Sequence, residues 1–214
     1  MIHAIGDSHS YFFTGTNVVR GKTWWQMKPD DRIPGYKSYN IGPATAYKFK
    51  DKHLDAVRQI IVDAQIPAEE PILLVFGEID CRLHIGKQAV EEQKVHAWAV
   101  VDDAMTRYIE GVNELSKTHR VILWCVPPPS RMANEKDPHV FGNHTFRFNV
   151  TRIWNQALLE RAEANMIPCA SIFWDIAKDD VYKKKPMHYH CDDIHLSQAA
   201  MPYARDELYR WEQL

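Results

Sequence analysis

The sequence predicts an α/β fold in which a parallel sheet is covered by helices. Short apolar runs alternate with long amphipathic stretches, and the clearest run, Pro71–Phe76, is almost entirely apolar. Such alternation is typical of a parallel sheet, and a continuous apolar run indicates a strand buried on both faces. At 214 residues, the chain fits one domain spanning 1–214.

Five apolar segments are predicted as strands. They are short, as expected of strands, and the second is expected at the edge of the sheet. The segments are Ile2–Ile5, Tyr39–Ile41, Pro71–Phe76, Val121–Val126 and Ala170–Trp174.

Four segments are predicted as helices. In the two longest, apolar residues recur at spacings of three and four, which places them on one helical face. The segments are Leu54–Ala64, Val95–Lys117, Arg147–Asn165 and Tyr203–Leu214.

Three irregular stretches follow predicted strands directly or nearly so: Tyr11–Lys37, Pro127–Asn143 and Ala177–Asp193. Ligands of open parallel sheets bind at the carboxyl ends of the strands. These loops are therefore expected to converge on one site.

The charge balance argues against two classes of partner. With 26 basic and 28 acidic side chains, the formal charge is −2, so no global field would attract nucleic acid or an anionic membrane. No apolar run approaches the ~20 residues of a membrane span, and the first residues do not resemble a signal peptide. A cytoplasmic protein is expected, and its oligomeric state is left open.

Two short motifs carry the chemistry. Gly6-Asp7-Ser8 ends the first predicted strand, where a tight turn can project the serine hydroxyl. A serine becomes a nucleophile when a base takes its proton and an acid fixes the tautomer of that base. His195 with Asp192 could supply this pair, and Asp193 is the alternative acid. Asp7 is expected to cap backbone amides.

Together with two further segments, these motifs resemble the four blocks of the SGNH (GDSL-type) hydrolase family. Asn40-Ile-Gly42 is similar to its glycine block, and Gly77-Glu-Ile-Asp80 occupies the place of its GxND block. The resemblance implies a three-layer α/β/α sandwich of flavodoxin-like type with about five parallel strands. It also implies Ser8 as nucleophile, His195 as base, Asp192 as acid, and the amides of Ser8 and Gly42 in an oxyanion hole.

The third block departs from the family pattern, because Ile79 stands where the family has an asparagine. That asparagine would be the third oxyanion donor, and losing one donor typically costs ~10²–10³ in rate. Arg82 is the favoured replacement and Asn40 the second candidate. Alternatively, Glu78, Asp80 and Arg82 form an ion-pair network that holds the loop, and such a carboxylate could also orient the guanidinium.

Two competing interpretations concern binding. His188, His190, Cys191, Asp192 and His195 could form a metal cluster, but no second ligand pair supports it, so neither metal nor cofactor is expected. Trp24 and Trp25 could form a platform for a sugar ring, although packing of the loop explains them as well.

The sequence therefore predicts a serine esterase that hydrolyses a small acyl ester, with acetyl on a carbohydrate as the preferred substrate, through an acyl-enzyme on Ser8. One alternative is an O-acyltransferase that uses the same three residues. The other is a catalytically inactive carbohydrate-binding domain, for which Ile79 is the main argument.

Overall fold

A computed structural model describes residues 1–17, 32–91, 96–182 and 189–212. Its centre is a five-stranded sheet with all neighbouring strands parallel and the order β2-β1-β3-β4-β5. This is the flavodoxin-like strand order. The strands are β1 Ile2–Gly6, β2 Tyr36–Asn40, β3 Ile72–Val75, β4 Val121–Trp124 and β5 Cys169–Ala170.

The three central strands consist of buried residues. The continuous apolar runs of β3 and β4 predict this burial, whereas β1 also buries the polar side chain of His3. Their register aligns the carboxyl ends of the strands. Gly6, the last residue of β1, pairs with Asn40 of β2 on one side and with Val75 of β3 on the other. The residues that follow these strands therefore meet at one edge of the sheet.

Helices cover both faces and complete a three-layer α/β/α sandwich. One hydrophobic cluster joins one face of the sheet to α1, α3 and α4, and a second joins the other face to α5, α6 and a 3₁₀ helix at Ser8–Thr14. The helices are α1 Leu54–Asp63, α2 Ile85–Glu91, α3 Ala97–Ser116, α4 His144–Ala164, α5 Phe173–Tyr182 and α6 Met201–Glu212.

The predicted fold class and parallel sheet are confirmed, but several element boundaries are wrong. Strand β2 begins at Tyr36, three residues before the predicted edge strand. Strand β5 is only Cys169–Ala170, and Phe173 opens α5 instead of continuing a strand. Helix α4 begins at His144, three residues early, because the side chain of Asn143 caps it by accepting from the backbone N–H of Phe146.

Two further short helical segments, both π-helical turns, precede α1 and α2: Phe49–His53 and Asp80–His84. The second contains part of the third block and is important for the site. In the part of the chain described above, no helix is both long and apolar enough to cross a membrane.

Candidate active site

The turn after β1 presents Ser8. A Cβ atom on Gly6 would lie 2.0 Å from the carbonyl oxygen of Val75, so only glycine permits the approach of β1 to β3 there. Asp7 then caps the 3₁₀ helix, since its Oδ1 accepts from the N–H of His9 at 2.9 Å, as expected for Asp7. Ser8 is the first residue of this helix, a position whose N–H has no partner within the helix.

Three side chains form a continuous line of hydrogen bonds at this turn. The Oγ of Ser8 lies 2.8 Å from Nε2 of His195, and Nδ1 of His195 lies 2.8 Å from Oδ2 of Asp192. With Nδ1–H donating to the carboxylate, Nε2 is left as an acceptor for the serine proton. The fold thus brings together residues 187 positions apart in sequence.

The loop carrying Asp192 and His195 is fixed by its own backbone. Oδ1 of Asp192 accepts from the N–H groups of Ile194 and His195 at 2.8 and 2.6 Å. His190 and Leu196 form an antiparallel bridge that closes the base of the loop. Sequence reasoning favoured Asp192 over Asp193 as the acid, and in the structure it is Asp192 that contacts the imidazole ring.

Asp192 is held as a carboxylate. Burial alone would raise its pKa, but the hydrogen bond and charge of His195 and the two backbone N–H groups outweigh burial and lower the pKa to about 2. An ionised acid at this position would stabilise an imidazolium formed at His195.

Glu78 and Arg82 form the predicted ion pair at the third block. The Nε of Arg82 donates to Oε1 and Oε2 of Glu78 at 2.8 and 3.1 Å, and its Nη1 donates to the carbonyl of His139 at 2.5 Å. Burial acts to raise the pKa of Glu78, but Arg82 and His9 outweigh it and lower the pKa to about 2. The guanidinium is thus oriented by a carboxylate.

Asp80 is not part of this network, contrary to one interpretation of the sequence. Its carboxylate points the other way and accepts from the N–H groups of Ala46 and Tyr47 at 2.8 and 3.3 Å. It is 1% exposed, and burial, against the effect of these amides, raises its pKa to about 7. Asp80 therefore fastens the third block to the segment before α1, and it does not line the cleft.

The glycine block differs from expectation in one contact. The N–H of Gly42 donates to Oδ1 of Asn40 at 2.7 Å, in a turn where Gly42 adopts a φ of 90°. This amide, expected to bind the oxyanion, is engaged by a side chain in the structure.

A cleft of about 350 Å³ opens beside Ser8. Gly42, Ile79 and Arg82 line it together with His195, whereas Asn40, Glu78 and Asp80 do not. Its other lining residues are Asp7, Pro43, Leu83, Asp137, His139 and Ile194.

The sequence analysis assigned no role to His9, whose imidazole ring packs against that of His195. Its ring centroid is 4.8 Å from that of His195, with the rings tilted by 32°, and its Nε2 is 3.2 Å from Oε2 of Glu78. The sequence held one signal for it, because His9 directly follows Ser8 in the first motif. By contrast, nothing in the sequence singled out Asp137 or His139, which reach the cleft from the loop after β4.

The metal interpretation gains no support from the described residues, among which no group of three His, Cys, Asp or Glu side chains is arranged to hold an ion. His190 donates from Nε2 to the carbonyl of Pro128, and the Cys191 thiol donates to the carbonyl of His195. His188, Trp24 and Trp25 lie outside the described residues.

Comparison with solved structures identifies the type of fold. No protein-family model matches the sequence, and no curated protein matches it significantly. A solved structure of a lipolytic G-D-S-L family member from Veillonella parvula matches with a TM-score of 0.56 and 15% identity, covering 100% of this chain and 98% of that one. The chain therefore has the SGNH-hydrolase type of fold.

Two further solved structures are similar over nearly their whole length. The psychrotrophic esterase EstA of Pseudoalteromonas sp., inhibited by monoethylphosphonate, has a TM-score of 0.53 and 14% identity, with 100% and 98% of the two chains covered. A catalytic mutant of an acetylxylan esterase from Geobacillus stearothermophilus has a TM-score of 0.52 and 18% identity, with 98% and 92% covered.

Proposed function

We propose that this chain is a serine esterase that hydrolyses esters through an acyl-enzyme on Ser8. The observation that carries the proposal is the line of hydrogen bonds from Ser8 through His195 to Asp192, with 2.8 Å at both side-chain contacts. A hydroxyl, a base and an orienting acid in this arrangement are what nucleophilic acyl transfer requires.

The reaction proceeds in two halves. Oγ of Ser8 attacks the carbonyl carbon of the ester while its proton passes to Nε2 of His195. The tetrahedral intermediate collapses by breaking the ester C–O bond, and the alcohol leaves with the proton from His195. Water then attacks the acyl-enzyme, giving up a proton to His195, and collapse of the second intermediate frees the acid and returns the proton to Ser8.

The negative charge on the intermediate needs hydrogen-bond donors in the cleft. The N–H of Ser8 is one, since it begins the 3₁₀ helix. Arg82 is the second: its Nε and Nη1 are engaged, and Nη2 has no hydrogen-bond partner among the residues described. The N–H of Gly42 can contribute only when it leaves Oδ1 of Asn40.

A small acyl group, with acetyl on a carbohydrate as the preferred case, is the proposed substrate. In support, the cleft beside Ser8 measures about 350 Å³, and one structurally similar protein is an acetylxylan esterase. Four apolar side chains on the cleft walls, Pro43, Ile79, Leu83 and Ile194, are suited to contact an acyl group.

A panel of p-nitrophenyl esters from acetyl to octanoyl tests the activity. We expect release of p-nitrophenol that is highest for the shortest chains and is abolished in Ser8→Ala. Ser116→Ala, which changes an exposed serine at the end of α3, is the control and should keep full activity. No turnover of any ester by the wild type would favour an inactive binding domain, and turnover that depends on a sugar acceptor would favour acyl transfer.

A further inference from the structure

Arg147 is a buried charged side chain to which the proposed reaction assigns no role. It lies on α4, is 1% exposed, and donates from Nη1 to the carbonyl of Gly142 at 2.5 Å. Its Nε and Nη2 are buried without a hydrogen-bond partner among the described residues, and no carboxylate among them is in ion-pair contact with Arg147. A guanidinium is not deprotonated in proteins, and a buried charge without a partner is costly.

The two unpartnered nitrogens of Arg147 lie on one edge of its guanidinium. Because the group is planar, the N–H bonds of Nε and of the neighbouring Nη2 are parallel, so this edge can bind one anionic acceptor with two hydrogen bonds. Burial and the charge of Arg82 lower the pKa of Arg147, while Glu135 and Glu78 act in the opposite direction without pairing with it. The partner that this edge suits is therefore a negative group.

A small cavity is lined by Arg147 and by residues of the third block and of the turn after it. Its volume of about 10 Å³ leaves room for one water-sized group. The charged side chains that line it are Arg147, Arg82 and Glu78, which together carry an excess of one positive charge. The carboxylate of Glu78 is already engaged by Nε of Arg82 at 2.8 Å. The cavity is therefore suited to a small anion.

The rest of the cavity wall offers few competing donors. Pro127, Pro128 and Pro129 line it and have no backbone N–H. The hydroxyl of Thr151 also lines it, but this hydroxyl donates to the carbonyl of Arg147 at 2.9 Å. A carboxylate or a sulfate has several heavy atoms and exceeds the room available, whereas a chloride ion is only slightly larger than a water molecule.

We propose that this cavity is a binding site for one chloride ion, held by the Nε and Nη2 edge of Arg147. The ion compensates the buried charge of Arg147, and because it binds only the folded chain, it stabilises the fold. The site is distinct from the cleft beside Ser8, although Arg82 and Ile194 line both. Binding of chloride does not depend on the proposed activity of Ser8.

Melting temperatures in chloride test this site. They are measured from zero to about 200 mM sodium chloride, with sodium gluconate keeping the ionic strength constant, since gluconate is too large for the cavity. We expect the wild type to gain about 3 °C or more, the effect of a ligand at about ten times its dissociation constant. Arg147→Met, which lacks the guanidinium, should gain nothing. Arg152→Met, which changes an exposed arginine on the same helix, should gain as much as the wild type.

Three outcomes of this experiment would overturn the proposal. The first is a wild-type melting temperature that does not depend on chloride, and the second is an equal gain in Arg147→Met. The third is an equal gain when sodium formate replaces sodium chloride, because it would show that an oxyanion, and not a single-atom ion, occupies the site at Arg147.

Wild-type crystals soaked in sodium bromide cover the case in which Arg147→Met does not fold. Anomalous scattering at the bromine absorption edge should show a peak within hydrogen-bond distance of Nε and Nη2 of Arg147. A water molecule at this position, in crystals that bind bromide elsewhere on the surface, would show that the cavity holds water only and would refute the proposal.

Discussion

At the residue scale, the site depends on side chains that each make contacts in two directions. His195 joins Ser8 to Asp192, Asp192 joins the imidazole to two backbone N–H groups, and Glu78 joins Arg82 to His9. Groups with two partners have little freedom to rotate. In the proposed reaction, the reacting atoms are therefore positioned before a substrate arrives, an arrangement that lowers the cost of reorganisation.

Asp192→Asn should lower the turnover number by about 10⁴, the loss typical of replacing a triad aspartate by its amide. Oδ1 could still accept from Ile194 and His195, but an NH₂ group would face Nδ1 of the imidazole and impose the wrong tautomer. Steady-state kinetics on Asp193→Asn provide the matched control. If Asp193→Asn were the damaging change and Asp192→Asn silent, the acid would be misassigned.

If Arg82 is the proposed oxyanion donor, Arg82→Ala should lower the turnover number by ~10²–10³, the scale of one such donor. Ile79→Asn should then gain little, because the donor that it restores is already replaced. The melting temperature must be measured on the same two proteins. A loss of activity with an unchanged melting temperature supports a donor, and a parallel loss of both indicates that Arg82 only braces the loop through Glu78 and His139. A fully active, stable Arg82→Ala protein would eliminate both roles.

The residues of the site differ in how well the sequence predicts them. Ser8, Asp192 and His195 are expected from short motifs whose order along the chain resembles the blocks of the SGNH hydrolase family, and the structure brings these three side chains together. The partners of Asp80 and of the Gly42 amide do not follow, because they depend on how the segment Asn40–Tyr47 folds over the third block. A carboxylate two residues from an arginine, as Asp80 is from Arg82, can pair instead with a distant backbone amide, and only the tertiary structure decides between the two partners.

At the scale of elements, the site is built on turns that are unusually constrained. Gly6 allows β1 and β3 to approach, Asp7 caps the helix that begins at Ser8, and the π-helical turn Asp80–His84 follows Glu78. Turns of π type are often found at functional sites. Here the turn directs Arg82 towards the cleft and Asp80 towards the backbone of Ala46.

Asp80→Asn should change the pH dependence of stability. The pKa of Asp80 is raised from 3.8 to about 7 in the folded state. Between these two pH values the folded protein keeps a proton on Asp80 that the unfolded chain releases. The contribution of Asp80 to stability therefore falls as the pH rises from about 4 to about 7. The melting temperature of the variant relative to wild type should therefore be higher at pH 8 than at pH 4.5, by at least about 3 °C.

Asp63→Asn, an exposed change near the end of α1, controls for the general effect of losing a carboxylate in the same melting experiment. A constant difference between Asp80→Asn and wild type across this pH range would show that the Asp80 carboxyl is not perturbed by burial.

The sequence predicted the type of most long elements and missed several boundaries. Strands β3 and β4 are continuous apolar runs, so burial on both faces reveals them, whereas the apolar run of β1 is interrupted by the buried His3. The run Ala170–Trp174 was predicted as a strand, but it contains the end of β5 and the start of α5. Over five positions, an apolar strand cannot be distinguished from the buried first turn of a helix. Phe173 is buried as part of α5, and neighbouring aromatic rings, Phe148 and Trp174, surround it.

At the scale of the whole molecule, the parallel sheet is what assembles the site. Ser8 follows β1, Gly42 follows β2 and Glu78 follows β3, so three consecutive blocks meet at the carboxyl ends of adjacent strands. His195 lies on the loop before α6, near the C-terminal end of the sequence. The order of the motifs along the chain made this convergence predictable, whereas the distances between their side chains and the position of His9 required the folded structure.

The most direct test of the central claim is the site of covalent modification by a fluorophosphonate. The probe reacts with a serine only where a neighbouring base removes the hydroxyl proton, and the Oγ of Ser8 lies 2.8 Å from the imidazole of His195. Intact-protein mass spectrometry should show one adduct on the wild type, mapped to Ser8 by peptide analysis, and none on Ser8→Ala or His195→Ala. An adduct that persists in Ser8→Ala, or a folded wild type that forms none, would contradict the assignment of Ser8 as the nucleophile.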